Sequence, residues 1–326
     1  MIKLNTIHYP IIQDINISKE LSLNILNNNE LYYEVEKNFL KKFSYSNLKT
    51  FSFNQDGFLS LLFELKRKGS IAISLGETNA VVEAGKLYES LGFEILWVEL
   101  QKDGQVNVSE ISKLDVDFLF LSSYVMDTFV KTNLEKVKKL SNAQLISNGS
   151  AEFCTCSDIV YYDPYKLIGC NTSGVILHDN VFAEQSIGYI DTVAVYLIFN
   201  ALNNLKFTTT MKKKFMESLL DTFKDDIYFF VDNNSTLDFT LHFALKDIKA
   251  RELIRTLALD EILITNGEGC TLGLSQPSKI IQAMGYSEDI SRNGISLSFS
   301  QEIDDSSIKK VTSLFYKKYR QIKVLT

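Results

Sequence analysis

Between about residues 51 and 205 the chain alternates short apolar runs with longer stretches whose apolar residues fall at helical spacing. The runs are Ile71-Ala72-Ile73-Ser74, Glu94-Ile95-Leu96-Trp97-Val98, Asp117-Phe118-Leu119-Phe120-Leu121, Gln144-Leu145-Ile146-Ser147 and Asp158-Ile159-Val160-Tyr161-Tyr162. Continuous runs of this length predict strands buried on both faces. Between them, Val81, Ala84, Leu87, Tyr88 and Leu91 form one helical stripe, and Leu134, Val137 and Leu140 form another. This alternation predicts βαβ units and a mainly parallel sheet, with any ligand at the carboxyl ends of its strands. Gly174 to His178 reads as one further strand that an antiparallel setting also suits, and an apolar helix is expected over about Thr192 to Leu205.

From about residue 206 the pattern changes. Helices near 210–224, 248–258, 277–284 and 305–319 alternate with strands near 236–245, 261–265 and 294–300, which predicts a smaller α+β domain. The expected organisation is therefore an α/β protein in three parts. Residues 1–20 pack on the small or the large domain, residues 21–205 form the large domain, and residues 206–326 form the small one.

Composition narrows the function classes. Of the 326 residues, 45% are hydrophobic and 23% charged, an ordinary globular mixture. The formal net charge is −6 and the sequence pI about 5.3. No broad basic field follows, which argues against nucleic acid and anionic membrane as partners. No apolar stretch is long enough to span a bilayer, and Met1 to Asn5 does not open a signal peptide, so a cytoplasmic protein is expected. The four cysteines, Cys154, Cys156, Cys170 and Cys270, are too sparse to suggest a disulfide framework. Cys154 and Cys156 are also spaced too closely for an ordinary paired zinc site.

Three stretches, taken in order, resemble the class-V aminotransferase branch of fold-type-I pyridoxal-phosphate enzymes and, within that branch, the cysteine desulfurases. The first runs from Asn79 to Leu87, through Leu91-Gly92-Phe93-Glu94, to Asp103-Gly104-Gln105-Val106. The second is Tyr161-Tyr162-Asp163-Pro164-Tyr165-Lys166-Leu167-Ile168-Gly169, followed by Ser173-Gly174-Val175-Ile176-Leu177. The third is Thr265-Asn266-Gly267-Glu268-Gly269-Cys270, continuing through Gln276-Pro277-Ser278 to Ala283-Met284-Gly285. The third is the most specific, because cysteine, glycine, Pro-Ser and Met-Gly all fall in register.

The resemblance implies a fold-type-I architecture, a homodimer, pyridoxal 5′-phosphate as cofactor and an amino acid as substrate. It makes Lys166 the Schiff-base lysine and Cys270 the loop cysteine that carries sulfur to an acceptor. A buried amine can lose its proton by desolvation and form an imine, and a thiolate needs exposure and a lowered pKa. Glu268, two residues away, would raise that thiol's pKa if close. Gly57 and its neighbours Phe53 to Phe58 take the place of the phosphate cradle at a helix N-terminus; Asp56 there reads as the helix N-cap.

The departures are many. Thr78 stands where the family stacks a histidine on the cofactor ring, and Asn148 where it pairs an aspartate with the pyridine nitrogen. An asparagine cannot hold positive charge on that nitrogen as a carboxylate does, so the electron-sink role should weaken. Ala151, Tyr165, Asp163, Tyr124-Val125-Met126 and Tyr189 replace further family residues. Ser296 replaces the arginine that clamps the substrate carboxylate, with Arg292 four residues away. Two expectations therefore stand side by side: a desulfurase-like enzyme working through Lys166 and Cys270, or a catalytically degenerate paralogue kept as a binding or dimerisation partner.

Overall fold

The computed structural model describes residues 1–7, 31–268 and 276–325. Among these residues twelve strands and twelve α-helices follow in chain order. They are β1 (Ile2–Lys3), α1 (Leu31–Phe43), β2 (Asn47–Ser52), α2 (Gln55–Lys66), β3 (Ile71–Ser74), α3 (Asn79–Ser90), β4 (Leu96–Val98), α4 (Val108–Ile111), β5 (Phe118–Phe120), α5 (Leu134–Leu140), β6 (Gln144–Asn148) and β7 (Ile159–Tyr162). Then come α6 (Pro164–Ile168), β8 (Ser173–His178), α7 (Thr192–Asn204), α8 (Thr210–Phe223), β9 (Ile227–Tyr228), β10 (Thr240–Leu245), α9 (Ala250–Ala258), β11 (Ile262–Leu263), α10 (Lys279–Ala283), α11 (Glu288–Ser291), β12 (Gly294–Ser298) and α12 (Asp305–Leu325).

A seven-stranded sheet in the order β2-β8-β7-β6-β5-β3-β4 organises the larger part. Neighbours from β7 to β4 run parallel, and β8 is antiparallel to both β7 and β2. The apolar runs are buried on both faces because helices cover both. Ile71, Ile73, Phe118, Phe120, Ile146 and Tyr161 pack against Phe58, Leu61, Leu65, Val81, Ala84 and Tyr88 of α2 and α3. On the opposite face Val160, Tyr162, Val175 and Leu177 meet Tyr32, Val35 and Phe39 of α1 and Val195 and Ile198 of α7. Alternate residues of each strand thus serve opposite cores, as the period-two geometry requires.

A second sheet, β12-β10-β9, is antiparallel. Its Leu241, Phe243, Ile295 and Leu297 pack with Met211 and Phe215 of α8, Leu253 and Leu257 of α9, and Val311, Phe315 and Tyr319 of α12. The chain's start belongs beside it: β1 pairs in parallel with β11, and Leu4 is wholly buried in this cluster. Helix α12 runs to Leu325 rather than stopping near 319, because its apolar stripe continues through Ile322. The strand expected over 236–245 begins only at Thr240; Leu237 NH instead bonds to Phe129 O and Thr240 NH closes back on Leu237 O.

Two expectations from the sequence are corrected. The cap of α2 is Asn54, not Asp56: Asn54 is extended and its side chain accepts from Gly57 NH at 2.9 Å, while Asp56 lies exposed in the first turn. And one cysteine pair is linked, Cys154 to Cys156, with Cα atoms 5.3 Å apart. Sparse usage argued against this, yet a tight turn can bring next-but-one residues within bonding reach whatever the cysteine count. Among the described residues no helix is long and apolar enough to cross a membrane.

Candidate active site at the carboxyl edge of the parallel sheet

Strand β7 ends in Tyr162, and Asp163 then caps α6 by accepting from Lys166 NH at 3.2 Å. Pro164 fits the first helical position because its missing NH has no helical partner to lose. This short helix carries Lys166 to the carboxyl edge of the sheet, where the side chain is only 4% exposed. Its ammonium donates to Glu268 Oε1 at 2.6 Å and to Met126 Sδ at 3.2 Å, with Asp163 Oδ2 at 3.9 Å.

Glu268 is held from several sides. It accepts from Thr78 Oγ1 at 2.8 Å and from Asn79 NH at 2.6 Å, at the start of α3. Its own NH donates to Asp127 Oδ1 at 2.8 Å, and Ser278 Oγ donates to the other oxygen of Asp127. Gly267 makes this approach possible. Its φ is +101°, and a Cβ there would lie 2.0 Å from Asp127 Oδ1. Behind the pair lies Glu77, which accepts from Ser122 Oγ at 2.7 Å and from the Tyr161 hydroxyl. A hollow of about 420 Å³ opens beside them, bordered by Glu77, Asn79, Asp127 and Glu268, with Lys86 and Lys279 lining it as well. Those two lysines are both paired with Glu83.

The electrostatics follow from burial. Desolvation by itself would push the Lys166 amine down, but the charge of Glu268, with Tyr124 and Asp163 behind it, more than reverses this and holds it well above the ordinary lysine value. Glu268 faces the same desolvation, and Lys166 overcomes it, so its carboxyl is lowered. Three other carboxyls are raised, chiefly by burial. Glu77 goes to about 7 against the hydrogen bonds from Tyr161 and Ser122, Asp127 to about 6 with help from the Glu268 charge, and Asp163 to about 6 against the charge of Lys166.

The candidate residues from the sequence fall as follows. Lys166, Thr78 and Asp163 come together around Glu268 and the ammonium. Asn148 ends β6, fully buried; its NH donates to Ser122 Oγ and its Oδ1 accepts from Ser150 NH, while its Nδ2 has no partner. The buried Tyr124 hydroxyl is likewise unpartnered. Gly57 sits in the first turn of α2 with its NH already taken by Asn54. Ser296 is buried, bonding to Asp127 O at 2.8 Å and lying 3.1 Å from His242 Nδ1. Arg292 pairs with Glu288 on α11. Cys270 lies outside the described residues. The partners that sequence reasoning left out are Glu77 and Asp127, while Met126 was named only as part of a segment that replaces family residues. Glu77 and Asp127 adjoin Thr78 and Met126, but nothing local marks a single acid or thioether as a lysine's neighbour.

Comparison with known proteins places the fold. No family model matches the chain, and no curated protein does. Solved structures match along nearly its whole length. A NifS-like protein is 14% identical, covering 98% of this chain and 99% of its own at a TM-score of 0.75. The NifS-like protein of Rickettsia africae is also 14% identical, with the same coverage and a TM-score of 0.74. The cysteine desulfurase CsdA of Escherichia coli, in an S-sulfonic acid form, is 11% identical, covering 98% and 95% at 0.71.

The fold is that of the fold-type-I pyridoxal-phosphate transferases, in its cysteine desulfurase form. Within that fold, the residues present do not fit the cofactor. The Lys166 ammonium is sealed by a carboxylate. The first turn of α2 spends Gly57 NH on its own cap and presents Asp56. Lys166 is the one buried lysine or arginine among the described residues, and Glu77, Asp127, Asp163 and Glu268 crowd it, so a phosphate dianion would enter a site already rich in negative charge.

Proposed function

We propose that this desulfurase-fold chain works without pyridoxal phosphate, as a catalytically degenerate paralogue that binds or dimerises with a partner. One observation carries this reading: the lysine in the Schiff-base position is consumed by a buried ion pair with Glu268, which itself occupies the amide and hydroxyl donors at the start of α3. A neutral amine is required for imine formation, and this environment favours the ammonium. The missing arginine clamp at Ser296 supports the same conclusion.

A partner surface is supported by the segment after β8, where Ile187, Tyr189 and Val193 stand 51%, 79% and 38% exposed. Neighbouring exposed apolar side chains of this kind mark contact surfaces, and a second copy of the chain is the occupant we propose.

A second reading keeps the enzyme: a pyridoxal-phosphate-dependent, cysteine desulfurase-like protein acting on an amino acid and passing sulfur through Cys270 to an acceptor protein. Its support is the unpartnered Asn148 Nδ2 near the carboxyl end of the sheet, a donor that suits a neutral ring nitrogen. One experiment separates the two. The protein is purified with added pyridoxal 5′-phosphate and its visible spectrum recorded beside that of Lys166→Ala. The degenerate reading predicts no aldimine band in either. A band that vanishes in Lys166→Ala overturns it, and sulfide release from cysteine, lost in Cys270→Ala, would then establish the desulfurase.

A further inference from the structure

The loop from β6 to β7 holds a feature that the site around Lys166 does not use. Cys154 and Cys156 are linked there, both half-buried, with Thr155 exposed between them. We propose that this pair is a redox couple that exchanges electrons reversibly with small thiols.

Three observations support this. First, the bridge closes a ring of only three residues, so it restrains little of the unfolded chain and is poorly suited to be a structural staple. Second, the loop is fixed without it. Asp158 NH donates to Leu145 O at 3.0 Å and Ser157 NH to Cys154 O at 3.2 Å. The Tyr45 hydroxyl donates to Ser157 O at 2.7 Å, Ser147 and Ser157 share a hydroxyl bond at 2.6 Å, and Ser123 Oγ donates to Glu152 O at 3.2 Å. The backbone is thus held in place for both the dithiol and the disulfide. Third, both cysteines keep part of their surface in solvent, with the exposed Thr155 between them, so a small thiol can reach the bridge.

The exchange balances as follows. A small-molecule thiolate attacks one sulfur of the pair; the S–S bond breaks, and the other cysteine leaves as a thiolate and takes a proton. A second small thiolate then attacks the small-molecule sulfur of the mixed disulfide and releases the second cysteine. In sum, protein disulfide and two thiols give protein dithiol and one small-molecule disulfide, with two electrons passing to the protein.

The test uses the full chain in mixtures of reduced and oxidised glutathione, without denaturant. Free thiols are trapped with iodoacetamide and the peptide holding both cysteines is weighed. The expected result is a complete, reversible shift between no added group and two. Its dependence on the logarithm of squared glutathione over glutathione disulfide has a slope of one, and far-ultraviolet circular dichroism does not change. The Cys154→Ser variant, unable to close the ring, should stop at a mixed disulfide on Cys156. Full alkylation at every ratio, a link that opens only after denaturation, or no glutathione adduct on Cys156 in the variant would each overturn the proposal. None of these readouts depends on whether pyridoxal phosphate binds.

Discussion

Removing both members of the Lys166–Glu268 pair should cost less than the two single losses added together. At 2.6 Å, unit charges attract by roughly 6 kcal/mol at an effective dielectric constant of about 20, and both side chains are sheltered from screening, 4% and 14% exposed. Desolvation of the two ions offsets most of that attraction, so the intact pair adds little net stability. A one-sided loss is different, because it strands a buried charge at a cost of about 3–5 kcal/mol.

Lys166→Met is the sharper single variant, since it leaves Glu268, Asp127 and Asp163 with no buried cation. Glu268→Gln keeps one acceptor oxygen, enough for Thr78 or for Asn79 but not both, and leaves the ammonium only the more distant carboxylate of Asp163. Urea denaturation at pH 7 measures each single variant and the double. We expect roughly 3–4 kcal/mol lost in each single and less than the sum in the double, a coupling of about 2–3 kcal/mol. Single variants within about 1 kcal/mol of wild type, or additive losses, would refute the reasoning.

Burial also makes stability depend on pH. Glu77 has a folded pKa of about 7 against an ordinary 4.5. Its contribution is fully present below the ordinary value and falls as pH rises towards 7, by roughly 3 kcal/mol in all. Asp127 and Asp163, both raised to about 6, act in the same sense. Unfolding free energy should therefore drop between about pH 4 and 7, and Glu77→Gln should flatten that slope; an unchanged slope in the variant would count against the assignment. Gly57→Ala should cost at least about 2 kcal/mol by overpacking, because the new Cβ would meet Ser52 O at 1.8 Å. Thermal melting reads this directly, and a neutral result would mean that the first turn of α2 can shift. If Tyr189 faces a second copy, Tyr189→Glu should shift sedimentation toward monomer without lowering the melting temperature; an unchanged mass would remove that surface from the interface.

The large sheet was legible because each of its central strands is a run of apolar residues needed on both faces, and the antiparallel option for β8 was realised. Strand β2 was not legible: Asn47-Leu48-Lys49-Thr50-Phe51-Ser52 buries only Thr50 and Phe51 at the sheet edge, so it carries no continuous apolar signal. Helix α1 announces itself only by Tyr32, Val35 and Phe39 among charged neighbours. Both Asn54 and Asp56 are good caps by residue type, and only the extended backbone at Asn54 decides between them.

Lys166 was found through a local motif, but its partner Glu268 lies 102 residues away, just after Gly267. Nothing in the sequence around either residue announces the pairing, because tertiary folding alone creates it. The Cys154–Cys156 link was missed for the opposite reason. An argument from compartment and cysteine count says nothing about the geometry of one short loop.

The central claim is that Glu268 keeps the Lys166 amine charged. Nuclear magnetic resonance of ¹⁵N-labelled lysine side chains, with Lys166 assigned through Lys166→Met, tests it most directly. The account predicts an ammonium at Lys166 that persists past the ordinary lysine value of about 10.4 in the wild type and titrates at distinctly lower pH in Glu268→Gln. A neutral Lys166 amine at pH 8 in the wild type, or a titration that Glu268→Gln leaves unmoved, would contradict it.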